Sequence, residues 1–215
     1  MNPLPRPAAL LCDMDGTLVD TEHAWLDTVA GFLRTQGSPT DAATLAPFAG
    51  VTLDDAAGQL VRGGLTALTT AEAATRLDRE FTARVAAGVT VQPGALRLLD
   101  RARALGVPTA LVTASERHVA DLILDTLGRH RFDTSVASGE APRGKPHPDP
   151  YLTAAAALGV APGDCLAVED TPTGAAAALA AGCRLLAVPS VPGIEPGPRT
   201  VFVTSLTEAD LAEAA

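Results

Sequence analysis

Two aspartates, Asp13 and Asp15, follow directly on the apolar run Ala8–Cys12, and Gly16 comes next. A short, unbroken apolar run reads as a strand buried on both faces. Asp13 then stands at the carboxyl edge of that strand, the edge where open α/β sheets bind ligands. A carboxylate held there can attack phosphorus and form an acyl phosphate. Gly16 allows a sharp turn, which brings the carboxyl of Asp15 to the same substrate. Asp15 could protonate a leaving oxygen and then take a proton from the attacking water. Two carboxylates so close raise each other's cost of ionisation, which helps one to stay protonated. Far downstream lies Lys145, the only lysine; every other basic residue is arginine or histidine. In a chain that otherwise uses arginine, a compact ammonium suits a place between a carboxylate and a phosphate better than a guanidinium fork does.

An isolated Asp-x-Asp-Gly reads equally well as a turn after a strand. The longer string from Asp13 to Glu22 is what favours chemistry. The elements that would hold these residues follow from periodicity. Ala8–Cys12, Val107–Val112, Cys165–Val168 and Leu185–Val188 read as buried parallel strands, and Val201–Val203 as an edge strand. Between them, Leu98, Leu99, Ala102 and Leu105 share a helical face that stops at Gly106. Val119, Leu122, Ile123, Thr126 and Leu127 share another, with Ser115 as its N-cap and Gly128 as its stop. The alanine-rich segment from Thr171 to Gly182 reads as a helix packed tightly on the sheet. The sum is an α/β, doubly wound, Rossmann-like fold. Between Asp20 and Gln92 only helical patterns occur, with Trp25, Val29, Phe32 and Leu33 on one face and Leu77, Phe81 and Val85 on another. That is more helix than a crossover needs. We therefore expect a catalytic core of residues 1–19 and 92–215 and an inserted helical domain of residues 20–91.

Composition narrows the function. With 215 residues, 47% of them hydrophobic but only 3% aromatic, the core must be built mainly of Ala, Leu and Val. A net charge of -9 argues against nucleic acid or an anionic membrane surface as partner. It also leaves the attraction of a phosphorylated substrate to local groups or a metal. Cys12, Cys165 and Cys183 lack metal-ligand spacing and read as buried thiols in a reducing compartment. No signal-peptide pattern and no membrane-length apolar run is found, so the chain is expected to be soluble and cytoplasmic, a monomer or weak dimer.

The string Asp13–Glu22 resembles the first signature of the haloacid dehalogenase superfamily, in its phosphatase branch. Three further segments resemble that family's remaining signatures. Leu111-Val112-Thr113-Ala114 is a strand ending in a threonine. Gly144-Lys145-Pro146-His147-Pro148-Asp149-Pro150-Tyr151 matches the lysine loop, and Val168-Glu169-Asp170 is an acidic pair after a strand. The resemblance implies that Asp13, Asp15, Thr113 and Lys145 are catalytic. The Thr113 hydroxyl and the Ala114 N–H would hold phosphoryl oxygens, with Gly16 and Lys145 in the same phosphate-binding set. Asp13, Asp170, Glu169 and the Asp15 carbonyl would hold Mg²⁺, Glu169 directly or through water. The inserted helices would be a cap, whose Glu22 and His23 lie at the mouth and join the substrate-binding set. Among the other histidines, His118 and His130 read as surface residues and His147 as a loop packing residue, while Trp25 reads as cap core. The reading is a Mg²⁺-dependent phosphatase of a small phosphorylated metabolite, a sugar or polyol phosphate. A β-phosphoglucomutase and, from another class, a non-catalytic phosphate-binding protein are the alternatives. Leu53 stands where mutase relatives carry an arginine, and the inserted helices have no lysine.

Overall fold

The computed structural model describes residues 4–213, which form two compact units. One is Asp20–Thr90, and the other comprises the chain before and after it. Along the chain the strands are β1 (Ala9–Cys12), β2 (Val19–Asp20), β3 (Thr90–Val91), β4 (Thr109–Val112), β5 (Thr134–Val136), β6 (Cys165–Glu169), β7 (Arg184–Ala187) and β8 (Thr200–Phe202). The helices are α1 (Glu22–Thr35), α2 (Ala42–Leu45), α3 (Leu53–Arg62), α4 (Thr70–Ala87), α5 (Ala95–Ala104), α6 (Arg117–Leu127), α7 (Asp149–Ala157) and α8 (Pro172–Ala181). Among the described residues no helix is long and apolar enough to cross a membrane.

The larger unit is a six-stranded sheet in the order β5-β4-β1-β6-β7-β8, with every pairing parallel. β1, β4 and β6 are buried along their whole length, as unbroken apolar runs require. Side chains alternate between the faces. On one face Ala9, Leu11, Ala110, Val112, Cys165, Ala167 and Leu185 pack with Tyr151, Ala154 and Ala155 of α7 and Ala175, Ala177 and Ala178 of α8. Small side chains let these two helices lie close to the strands, so alanine content substitutes for aromatic bulk. The three cysteines are buried and unpaired.

β5, α7, β2 and β3 were not legible in sequence. β5 is a short, half-buried edge strand of polar start, Thr134-Ser135-Val136, with no apolar run to reveal it. α7 begins at the Asp149-Pro150 end of the lysine loop, where proline at the first turn is compatible with helix. Ser115 does not cap α6: Glu116 holds the N-cap position, and the Ser115 hydroxyl is engaged elsewhere. His118, His130 and His147 are all exposed, so His147 does not serve as a packing residue.

The helical unit is centred on α4, which packs on α1 and α3. A capping box of Thr69 and Glu72 starts α4. Leu77, Phe81 and Val85 line its buried face, and the Phe81 ring meets Trp25 edge-on at a centroid distance of 5.7 Å. Trp25 is buried, and its indole N–H donates to the Phe48 carbonyl at 2.8 Å.

Candidate active site

Sheet register brings the signature residues to one edge. Cys12 of β1 pairs with Leu111 of β4 and with Val168 of β6. Asp13 and Glu169, one residue beyond those pairings, and Thr113, two beyond, therefore emerge at the carboxyl end of three adjacent strands. The Asp13 N–H still donates to the Val168 carbonyl at 3.0 Å, which continues the ladder by one residue and fixes where its side chain leaves.

Lys145 reaches this edge from the loop after β5. Its Nζ donates to Asp13 Oδ1 at 2.6 Å, Glu169 Oε1 at 2.6 Å and the Val112 carbonyl at 3.0 Å. An ammonium has three protons, and all three are used. Burial works against its charge, but Asp13 and Glu169 outweigh that and hold the ammonium above the usual lysine range. Tyr151, fully buried in α7, donates its hydroxyl to the same Glu169 Oε1, and its ring lies 5.3 Å from the lysine nitrogen. Burial, then the charge on Glu169, pushes the phenol well above its ordinary range, so Tyr151 acts as a neutral donor.

Asp170 completes the acidic group. Thr17 Oγ1 donates to its Oδ1 at 3.0 Å and Ser190 Oγ to its Oδ2 at 2.6 Å. Oxygens of Asp13, Glu169 and Asp170 lie within 4.8 Å of one another, and all three residues are buried. Two glycines make room for them. A Cβ on Gly16, whose φ is +80°, would stand 2.2 Å from Asp170 Oδ2; one on Gly174 would stand 2.0 Å from both Glu169 oxygens. Burial, then the charge on Asp13, pushes Glu169 up to about 8 and Asp170 up to about 7.

These acids fit a hard divalent cation. Asp13 Oδ2 and Glu169 Oε2 are buried and have no hydrogen-bond partner. Unpaired buried carboxylate oxygens are costly, and oxygen ligands at this spacing are what Mg²⁺-type ions take. With all three buried acids ionised, as ligation requires, one lysine leaves negative charge for a cation to offset.

Asp15 takes a different partner set. Its Oδ2 accepts from the Thr113 hydroxyl at 2.9 Å and the Ser115 hydroxyl at 2.8 Å. The Thr113 oxygen in turn accepts the Ser115 N–H at 2.9 Å. Thr113 is thus spent on Asp15 in this structure, while the neighbouring Ala114 is exposed. Glu22 and His23 belong to the helical unit: Glu22 Oε1 accepts the Gly50 N–H at 3.1 Å, and His23 Nδ1 lies 2.8 Å from Asp20 Oδ2. Thr17, Ser115, Tyr151 and Ser190 are site residues that sequence reasoning missed. Thr17 and Tyr151 sat inside recognised strings and could have been found there; Ser190 carried no signal.

A family model for haloacid dehalogenase-like hydrolases matches residues 7–182. The chain is 36% identical over 187 residues to hexitol phosphatase A of Escherichia coli (strain K12), covering 85% of this chain and 83% of that relative. It is 35% identical over 178 residues to validoxylamine A 7'-phosphate phosphatase of Streptomyces hygroscopicus subsp. limoneus, covering 80% and 81%. Among solved structures it is similar to a hydrolase of the same family from Deinococcus radiodurans R1 with bound phosphate and sodium, at TM-score 0.73, 32% identity and 94% and 93% coverage. CbbY from Rhodobacter sphaeroides in complex with phosphate shares the fold at TM-score 0.80, 24% identity and 94% and 96% coverage. With that model spanning most of its length and buried acids around one lysine at the sheet edge, the chain belongs to the haloacid dehalogenase-like hydrolases.

Proposed function

We propose that this protein is a Mg²⁺-dependent phosphatase of a small sugar or polyol phosphate that works through a phospho-aspartate on Asp13. One observation carries the reading: Asp13 is held at a sheet edge with one oxygen on Lys145 and the other buried without a partner. Binding a phosphate requires donors, not a carboxylate in that position, so a purely phosphate-binding role leaves Asp13 unexplained. The names of the relatives, phosphatases of a hexitol phosphate and of validoxylamine A 7'-phosphate, support the substrate class.

In this reading Asp13 attacks phosphorus and forms the acyl phosphate. Lys145 keeps the nucleophile ionised and offsets charge on the phosphoryl oxygens, with Glu169 and Tyr151 holding the ammonium in place. Thr113 and the Ala114 N–H face the phosphoryl group, Thr113 turning from Asp15 to do so. Asp15 protonates the leaving oxygen and then takes a proton from the water that cleaves the intermediate. Asp13, Asp170, Glu169 and the Asp15 carbonyl would hold Mg²⁺, which supplies charge neutralisation of the transferring group. The helical unit serves as the cap, and Glu22 and His23 belong to its substrate-binding residues.

The test is turnover of an aryl phosphate and of a panel of hexitol, pentitol and hexose phosphates, with Mg²⁺ and after exhaustive chelation. We expect inorganic phosphate from at least one polyol or sugar phosphate and no turnover without the cation. Supplying β-glucose 1-phosphate with a bisphosphate activator separates this reading from a mutase. Rapid glucose 6-phosphate formation with negligible free phosphate would overturn it.

A further inference from the structure

Asp170 lies one residue past the end of β6, beyond the reach of the strand's own ladder. What holds it comes from elsewhere in the chain. The Ser190 N–H donates to the Asp170 carbonyl at 3.1 Å, and the Ser190 hydroxyl donates to Asp170 Oδ2 at 2.6 Å. One residue thus grips both the backbone and the carboxylate. Thr17 takes the other oxygen at 3.0 Å, and Gly16, which carries no Cβ, leaves the space that the carboxylate occupies. Ser190 belongs to the loop after β7, which also ties itself to β6 through the Val188 N–H on the Glu169 carbonyl at 2.9 Å. Ser190 is exposed, at a cleft of about 280 Å³ that it lines with Thr17, Gln92, Pro93 and Thr204, whereas Asp170 is buried.

We propose that Ser190 is a positioning residue for the cation-binding face of Asp170, an inference that rests on the metal reading above. A carboxylate oxygen has two lone pairs, so a hydroxyl on each oxygen leaves one lone pair apiece and sets its direction. With the backbone pinned by the same serine, Asp170 presents those lone pairs beside Asp13 and Glu169 rather than rotating about its side-chain bonds. Partners of ligating carboxylates matter to the metal nearly as much as the ligands do, and their loss weakens binding by about 10- to 100-fold.

The experiment measures Mn²⁺ binding by calorimetry, with free Mn²⁺ counted by paramagnetic resonance, on full-length chelated protein. Wild type, Ser190→Ala and Ser190→Thr are compared, and metal-free thermal melting is recorded for each. We expect Ser190→Ala to bind Mn²⁺ about 10- to 100-fold more weakly, Ser190→Thr to recover most of the loss, and the metal-free melting curves to superimpose. Ser190→Cys, similar in size but a weak donor, provides a second comparison if alanine disturbs the loop. Unchanged affinity in Ser190→Ala beside a wild type that binds would overturn the role of Ser190 alone. So would a loss that threonine fails to restore and that tracks lower metal-free melting. A wild type that binds no Mn²⁺ would overturn the metal reading and this inference with it.

Discussion

Asp13 and Lys145 can be tested one side chain at a time. Asp13→Asn keeps size and removes charge from a crowded acidic site, so the fold should persist. The amide cannot act as nucleophile, and turnover should fall by about four orders of magnitude or more. A steady-state assay with a circular dichroism control checks this, and retention of a few per cent of the rate would count against a covalent Asp13. Lys145 gives all three protons to acceptors within 3.0 Å, in a side chain that is 6% exposed. A planar guanidinium keeps the charge but cannot occupy that space. Lys145→Arg should therefore lose about 100- to 1000-fold in kcat, close to Lys145→Ala. A near-wild-type arginine variant would show the lysine to be incidental.

At the scale of elements, the junction of β6 and α8 sets local preference against packing. Gly174 lies inside α8, where alanine is preferred by about 1 kcal/mol. Yet a Cβ there would stand 2.0 Å from the Glu169 carboxylate. Overpacking of this kind costs about 1–3 kcal/mol, and here it would also displace the acid that holds Lys145. Gly174→Ala should lower both the melting temperature and kcat, despite its better helix propensity. Melting above wild type with full activity would mean that Glu169 has freedom the packing does not suggest. The same junction carries the Thr171 cap, whose hydroxyl accepts the Gly174 N–H at 3.2 Å, so one turn both starts the helix and seats the acid.

Across the whole molecule, three buried acids facing one lysine couple stability to pH and to cation. With burial as the leading cause, Glu169 is raised from 4.5 to about 8 and Asp170 from 3.8 to about 7 in the metal-free protein. Above the ordinary carboxylate range the unfolded chain has released these protons while the folded chain still holds them. Stability from this source is present below about pH 4 and is lost as pH rises through about 7 to 8. Thermal melting of chelated protein should therefore decline across that window. Saturating Mg²⁺ at pH 8 should restore it, since a ligand at 100 times its Kd adds about 2.7 kcal/mol. A flat metal-free profile, or no stabilisation by Mg²⁺, would contradict the acidic cluster as a cation site.

Sequence alone determined the parallel-sheet fold class, the carboxyl ends of β1 and β4, and the candidate residues Asp13, Lys145, Glu169 and Asp170, while β6 runs one residue past its expected end at Val168. An apolar run marks a buried strand and Asp13 follows one directly; Lys145 stands out as the one lysine, whereas Glu169 and Asp170 were read through the resemblance of Val168-Glu169-Asp170 to a family signature. The helices α1 and α4 were legible from local pattern as well, because their periodicity differs from the strands around them. β5 was not, since an edge strand needs no apolar run. Only the tertiary structure decided the partners. Ser115 looked like a helix cap, but the return of β4 beside β1 sets its hydroxyl on Asp15. Tyr151 stood only as the last residue of the lysine-loop string, but α7 lies against β1 and β4 and carries its hydroxyl to Glu169. Ser190 reaches Asp170 because β7 pairs with β6, a contact across twenty residues that leaves no periodic trace. Hydrogen-bond partners of this kind depend on which strand ends meet, and strand order is a property of the folded sheet rather than of any segment within it.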